Sequence, residues 1–234
     1  MRLDKKTLEE LSLFYFWVDM KDYYRRRAKE YDQMYYRNDP RWQKELREMA
    51  DTLKEMFQGR RVLEIACGTG YWTQFLSETA QSIVATDVVQ EMLEIAKAKQ
   101  HKCPISFCKE DAYNLSFRDG SFDGGVANFW FSHIPKDRIN SFLEEFHRVL
   151  QIGSIVFMAD NVYIPGIGGK LVTKEGDENT YKLRKAEDGS EDLVLKNYYS
   201  VDELMKIFCR YSRKFSRENV SHGSFFWLVV YHLK

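Results

Sequence analysis

A short apolar run that leads into a glycine loop is the feature that most constrains how this chain can fold. Residues 61–66 are mainly apolar and are followed by Gly68 and Gly70, which allow a ligand to approach the backbone closely because they lack a Cβ atom. A second run of this kind, residues 82–87, ends in the carboxylate of Asp87. Together the two runs predict a nucleoside-binding crevice at the carboxyl ends of parallel strands.

The residues after the glycine loop argue against a dinucleotide as the ligand. The dinucleotide pattern has a small residue three positions after the second glycine, where helix and strand pack closely beside a pyrophosphate. In this chain that position is Thr73, and the bulky side chains of Tyr71 and Trp72 precede it. Two aromatic rings in the first helical turn leave little room for a diphosphate, which favours a ligand that is neutral or cationic there.

Helical and strand patterns alternate along the chain and predict a parallel sheet covered on both faces. Helical spacing also predicts an amino-terminal cap, and Asp188 with its following glycine predicts a hairpin turn. A capping box at Ser200 predicts a late helix, and residues 225–231 predict a buried strand. The central pattern predicts helices at residues 43–56, 71–79, 90–99 and 142–150, and strands at 61–66, 82–87, 105–110, 121–128 and 154–160.

The order of these motifs resembles that of the class I S-adenosylmethionine-dependent methyltransferases. Glu64, Gly68 and Gly70 match the first motif of the family, acid-x-Gly-x-Gly-x-Gly, with Ala66 at the first glycine position. Acidic residues then end the second and third strands, as in the family. The resemblance covers about residues 59–160.

This resemblance implies an α/β fold, a Rossmann-like doubly wound sheet of seven strands with an amino-terminal helical cap. The implied strand order is 3-2-1-4-5-7-6, and the last strand pair is antiparallel. We expect one methyltransferase domain over residues 1–234. Its predicted parts are the helical cap (1–58), the cofactor-binding core (59–160), a cover over the acceptor site (161–198) and a carboxyl-terminal helix with strands (199–234).

S-adenosylmethionine is the cofactor that the resemblance implies, bound at the strand ends. Asp87 is implied to accept hydrogen bonds from both ribose hydroxyls, for which a carboxylate is better suited than an amide. Capping of the next helix is the structural alternative for Asp87. The adenine amino group is implied to donate to Asp111, and the Ala112 N–H to meet a ring nitrogen.

The glycine loop and its neighbours are implied to hold the methionine part of the cofactor. Gly68 and Gly70 allow close backbone approach, and Glu64 orients the loop and the ammonium group. A purely structural salt bridge is the alternative for Glu64. Asn128, at the end of the fourth strand, is placed to offer its carbonyl to the ammonium.

The segment after the fourth strand lies where the family places its methyl acceptor. Phe129 and Trp130 stand where enzymes that methylate amide or base nitrogens have two prolines, which argues against DNA or protein amides as acceptors. Trp130 is a candidate wall that orients a planar substrate or stabilises the sulfonium by cation–π attraction, and core packing is its alternative. His133 is a candidate general base because its ordinary pKa suits proton removal at neutral pH, and capping of the next helix is its alternative.

Four tyrosines are further candidates for the acceptor pocket. Tyr24 and Tyr31 lie one helical face apart in the cap, and Tyr163 and Tyr181 lie in the predicted cover. A closed cavity at the sulfonium position, lined by Trp130, His133, Tyr163 and Tyr181, would indicate an enzyme, and a filled one would indicate a cofactor-binding subunit without activity.

Composition argues against several other classes of function. Lys plus Arg and Asp plus Glu number 35 each, so no net charge favours nucleic acid or an anionic membrane. Arg25, Arg26 and Arg27 are interleaved with acids and are expected to form a solvated helix face. No apolar stretch is long enough to cross a bilayer, and the cysteines show no metal-ligand spacing. We expect no metal and a cytoplasmic protein, monomer or homodimer.

The sequence therefore predicts methyl transfer from S-adenosylmethionine to oxygen or nitrogen of a small aromatic or heterocyclic molecule. Within enzymes, the alternative is a quinone or lipid C-methyltransferase, which the cap also resembles. From another class, the alternative is a catalytically silent subunit that binds the cofactor.

Overall fold

The structure is a computed structural model that describes residues 20–185, 189 and 191–234. The first 19 residues of the predicted cap therefore lie outside the described residues, as does Asp188 of the predicted hairpin turn. Among the described residues, no helix combines the length and the apolar character needed to cross a lipid bilayer.

A seven-stranded sheet forms the centre of the fold, in the order β3-β2-β1-β4-β5-β10-β9. Strands β1 to β5 are parallel, and β10 is antiparallel to both of its neighbours. Counting the strands of this sheet alone, the order is the expected 3-2-1-4-5-7-6, and the fold class is confirmed. The strands are β1 (Arg61–Ile65), β2 (Ser82–Asp87), β3 (Ile105–Lys109), β4 (Phe122–Asn128), β5 (Leu150–Asn161), β9 (Val220–His222) and β10 (Phe226–His232).

Six helices, counted over the described residues, flank the sheet or cap it. Helix α2 begins three residues before the predicted start, because Asp39 accepts from the Arg41 and Trp42 N–H groups and Pro40 occupies the first turn. The capping box at Ser200 is confirmed at the start of the last helix. The helices are α1 (20–27, continued by 3-10 turns over Ala28–Tyr36), α2 (Pro40–Met56), α3 (Tyr71–Leu76), α4 (Gln90–Lys97), α5 (Ile139–Arg148) and α6 (Val201–Phe208).

The central strands are buried on both faces, because successive side chains point to opposite sides of the sheet. In β1, Leu63 joins a cluster around Phe142 and Trp227, whereas its neighbour Val62 joins a cluster on the other face around Phe57. All five side chains are at most 1% exposed, so the sheet is a rigid base for the loops at its carboxyl edge.

A smaller antiparallel sheet packs near that edge. It consists of β6 (Lys170–Thr173), β7 (Thr180–Lys185) and β8 (Glu191–Leu195), of which the sequence predicted only the β7–β8 hairpin. Just after β8, Asn197 donates its backbone N–H to the Ser132 carbonyl and its side-chain amide to the Ile134 carbonyl. These bonds attach the small sheet to the loop that follows β4.

Candidate functional site

The glycine loop between β1 and α3 is held in left-handed backbone conformations. Gly68 and Gly70 have φ values of 55° and 74°, and Ala66 has a φ of 51°. Such values suit glycine, so the alanine at the first glycine position adopts the conformation of the residue it replaces, at a cost of about 1–2 kcal/mol. A Cβ atom on Gly70 would lie 2.9 Å from the Ala96 Cβ, so this glycine is required for helix packing as well.

Asp87 at the end of β2 holds the loop through its carboxylate. One oxygen accepts from the Gly68 N–H at 2.9 Å and the other from the Val89 N–H at 2.8 Å. Val89 precedes α4, so the alternative role of Asp87 in capping the next helix is realised in part. Burial raises the pKa of Asp87 to about 6, although these hydrogen bonds act against the rise.

Glu64 is buried in the floor of the crevice and is 2% exposed. Its carboxyl group accepts from the Thr73 hydroxyl at 2.7 Å, and no Lys, Arg or His among the described residues forms an ion pair with it. Burial raises the pKa of Glu64 to about 8. The predicted alternative of a structural salt bridge is therefore wrong within the described chain, and a cationic ligand would favour the ionised carboxyl.

The ends of β3 and β4 complete the crevice. Asp111 is exposed and accepts from the Tyr113 N–H, and Ala112 lies beside it in the cavity wall. Asn128 is only 7% exposed, yet neither its amide nitrogen nor its oxygen has a hydrogen-bond partner within the described part of the chain. Buried polar groups without partners are uncommon, and this one lies in the cavity wall, where a polar ligand can meet it.

The helical cap closes over the glycine loop through aromatic and polar contacts. Tyr35 stacks on Tyr71 with ring centroids 3.8 Å apart and an angle of 8° between the planes. Asp32 accepts from the Thr69 hydroxyl and forms an ion pair with Lys99. The cap is thus attached to the same loop that Asp87 holds from below.

Tyr24 of the cap meets His133 across the crevice. The Tyr24 hydroxyl lies 2.8 Å from Nε2 of His133, and Nδ1 of His133 lies 2.7 Å from the Leu195 carbonyl. Because a carbonyl only accepts, Nδ1 carries the proton and Nε2 accepts from the tyrosine. Burial and the charge of Lys196 lower the pKa of His133 to about 3, so the imidazole is neutral at physiological pH.

One cavity of about 290 Å³ joins these groups. It runs from the glycine loop and strand-end acids to the acceptor candidates Tyr24, Tyr31, Trp130 and His133. Trp130 lines the cavity and also packs edge-on against Phe142, so the predicted wall and core roles both apply to it. The cavity is of the size and mixed polarity typical of small-molecule sites.

Two predicted substrate residues, Tyr163 and Tyr181, do not line this cavity, and their contact with an acceptor stays a prediction. Tyr181 is buried on β7, where its hydroxyl donates to Asp177 at 2.6 Å. Tyr163 follows the end of β5, is 42% exposed and packs edge-on against Tyr198.

Sequence reasoning missed several residues of the site. A buried ion pair joins Lys196, after β8, to Asp160 in β5 at 2.8 Å, and Lys196 also donates to the Ser132 hydroxyl. Arg184 of β7 lies beside Tyr24 in an adjoining cavity. Of these residues, the sequence pattern indicated only Asp160, the acid near the end of the fifth strand. Its partners Lys196 and Ser132 come from distant segments, which no local pattern connects to it. Among the described residues, no group of His, Cys, Asp and Glu side chains is arranged to hold a metal ion.

Comparisons with known proteins agree with this geometry. Residues 62–153 match the family described as a methyltransferase domain. The demethylmenaquinone methyltransferase of Staphylococcus haemolyticus is 33% identical over 172 residues, which cover 65% of this chain and 71% of that protein. The structure of the DhpI-SAH complex has a TM-score of 0.71 at 24% identity, covering 93% of this chain and 97% of that one.

Another relative is matched only in part. The demethylmenaquinone methyltransferase of Staphylococcus epidermidis is 37% identical over 103 residues, which are 42% of this chain and 42% of that protein. The chain thus spans about two fifths of the length of this relative.

A pair of glycine substitutions tests the packing of the loop. Gly70 and Gly153 both have positive φ values, but only Gly70 faces a neighbour, since nothing lies within 4 Å of a Cβ on Gly153. We expect Gly153→Ala to lower the free energy of unfolding by about 1–2 kcal/mol through backbone strain. Gly70→Ala should lower it by about 1–3 kcal/mol more through the clash with Ala96. Urea denaturation measures both, and equal losses would contradict the packing role.

The raised pKa of Glu64 predicts that the free energy of unfolding depends on pH. A raised folded-state pKa contributes stability that is complete below the ordinary value of 4.5 and is lost as the pH rises through about 8. Glu64→Gln has no charge to bury, so the wild type should lose stability relative to this variant between about pH 5 and pH 8. Denaturant unfolding at a series of pH values measures the difference, with the exposed Glu48→Gln as control, and parallel curves for wild type and Glu64→Gln would exclude a buried carboxyl of this kind.

Proposed function

The chain belongs to the class I S-adenosylmethionine-dependent methyltransferase family, and we propose that it transfers a methyl group from S-adenosylmethionine to oxygen or nitrogen of a small acceptor. The observation that carries this proposal is the continuous cavity from the glycine loop to Tyr24 and His133. A subunit that only binds the cofactor needs no such space on the acceptor side.

The residues of the crevice fit S-adenosylmethionine by their chemistry. The carboxylate of Asp87, which lines the cavity at the end of β2, would accept from the ribose hydroxyls. Asp111 and the Ala112 N–H would bind the adenine edge, and the unpartnered Asn128 with Glu64 would face the methionine ammonium. When bound, the cofactor supplies an electrophilic methyl group on a sulfonium.

The chain's own contribution to methyl transfer is positioning and exclusion of water. In-line transfer needs the two reactants held in contact, which supplies much of the rate enhancement when the geometry is fixed. The cap, attached through Asp32 and Tyr35, covers the cofactor side of the cavity. Trp130 and Tyr31 would hold a planar acceptor from two sides.

Tyr24 and His133 would serve the acceptor as a pair. The Tyr24 hydroxyl faces the cavity, and His133 holds it in place through a neutral imidazole. With its pKa lowered to about 3 by burial, His133 is a weak base. We therefore assign His133 chiefly as a positioning residue and Tyr24 as the group that contacts the acceptor.

A second candidate function is methylation of carbon in a quinone or related lipid. It is favoured by the relative from Staphylococcus haemolyticus, which is a demethylmenaquinone methyltransferase and shares 33% identity. Incubation of metabolite and lipid extracts with S-adenosylmethionine carrying a labelled methyl group separates the candidates. Label in a water-soluble product supports the first function, label in an extracted quinone supports the second, and no labelled product at all contradicts both.

Cofactor binding should depend strongly on Asp87. Loss of a hydrogen-bonded charged group costs about 1.5–3 kcal/mol, so Asp87→Ala should bind S-adenosylhomocysteine more weakly by that amount. Calorimetry measures the affinity, with the exposed Asp202→Ala as a control that should bind like the wild type. Unchanged affinity in Asp87→Ala, or tighter binding of a nicotinamide cofactor by the wild type, would refute the assigned cofactor site.

Turnover should depend on His133 without a matching pH dependence. We expect His133→Ala to slow turnover of the acceptor found by labelling about a hundredfold, because the Tyr24 hydroxyl is no longer held in position. The loss should be equal at pH 6 and pH 8, because a group with a pKa of about 3 is neutral at both. The exposed His222→Ala is the control. A loss that changes around pH 6.5 would indicate an ordinary, titrating general base instead.

A further inference from the structure

A second, smaller cavity adjoins the acceptor side of the main one. It measures about 80 Å³ and shares Tyr24, Tyr31, Phe129 and His133 with the larger cavity. Its remaining wall combines Tyr23, Met34 and Asn161 with cationic side chains from three separate segments: Arg27, Arg184 and Lys196.

Two of these cations have acidic partners. Arg27 forms an ion pair with Glu30 at 2.9 Å and donates to the Tyr23 hydroxyl. Lys196 is paired with Asp160 at 2.8 Å, and both of these side chains are buried. Their positive charges are therefore balanced within the protein.

Arg184 is the exception. Among the residues that the structure describes, the Arg184 side chain forms no ion pair and no hydrogen bond. Its Nε atom is buried without an acceptor. Its cross-strand neighbour Asp192 accepts from Arg26 at 2.6 Å instead. The charge of Arg184 acts on the cavity residue Tyr31. Burial raises the pKa of Tyr31, and the positive charge of Arg184 reduces that rise.

A half-buried guanidinium without a partner lowers the stability of the fold, because its lost hydration is not replaced until an anion binds to it. Its planar fork of N–H groups matches the two oxygens of a carboxylate or phosphoryl group. We propose that Arg184 binds an anionic oxygen group of the methyl acceptor, so that the substrate class is a small carboxylate or phosphorylated molecule.

The size and position of the small cavity support this substrate class. A volume of about 80 Å³ has room for several water-sized groups and so for an oxyanion group. Tyr24 and His133 line both cavities, so the small cavity borders the space assigned to the acceptor, and the proposal rests on the methyl-transfer function in this respect. Glu64 and Asp87 line the cofactor side of the crevice, and Arg184 lines the acceptor side. This distribution of charge would orient a cationic cofactor and an anionic acceptor.

Binding of charged and neutral probes tests the proposal without a known substrate. Benzoate, phenyl phosphate and neutral benzamide are titrated into protein saturated with S-adenosylhomocysteine, and affinities are measured by calorimetry or ligand-detected NMR. The variants are Arg184→Gln, which removes the charge, and Arg184→Lys, which keeps the charge without the fork. Exposed Arg213→Gln is the matched control for total charge.

We expect the wild type and Arg213→Gln to bind at least one anion about tenfold or more tightly than benzamide. Benzoate and phenyl phosphate distinguish a carboxylate from a phosphoryl site. Arg184→Gln should lose the preference and Arg184→Lys should retain part of it, while both bind S-adenosylhomocysteine like the wild type.

Equal binding of anionic and neutral probes by the wild type would overturn the proposal, as would a preference that survives in Arg184→Gln or no anion binding in the millimolar range. Failure of the wild type to bind S-adenosylhomocysteine would instead refute the methyl-transfer function itself. Normal binding of S-adenosylhomocysteine by Arg184→Gln also shows that this variant is folded.

Discussion

The buried ion pair between Asp160 and Lys196 is the interaction on which the acceptor side depends. Asp160 ends β5, Lys196 follows β8, and both contact Ser132 in the loop after β4. Three segments distant in sequence are thereby held at one point. Removal of one partner from such a pair leaves a buried charge and costs about 3–5 kcal/mol, so the arrangement of His133 rests on it.

Charge is distributed unequally across the crevice. On the cofactor side, Glu64 and Asp87 are buried carboxyls with raised pKa values, about 8 and about 6. On the acceptor side, Arg184 has no acidic partner among the described residues. A cationic cofactor and an anionic acceptor would each relieve a burial cost, and neither requires a strongly basic residue.

Local patterns predicted which strand ends line the crevice. The glycine loop, Asp87 and Asp111 follow strands that the order of the motifs identifies, and parallel strands bring their carboxyl ends to one edge of the sheet. Helix bounds shifted by a few residues, as at α2, where Asp39 and Pro40 form a start signal that helical periodicity does not detect. On the acceptor side, Tyr24 and His133 line the cavity, whereas Tyr163 and Tyr181 do not.

By itself, the sequence determined the fold class, the strand order and the residues of the cofactor crevice, because these follow from periodicity and from motifs within short segments. Only the tertiary structure decided that Tyr24 meets His133 and that Arg184, which has no ion-pair partner among the described residues, lies beside them. Such pairings join residues more than a hundred positions apart or on separate sheets, and side-chain direction on β7 depends on a register that no local pattern specifies.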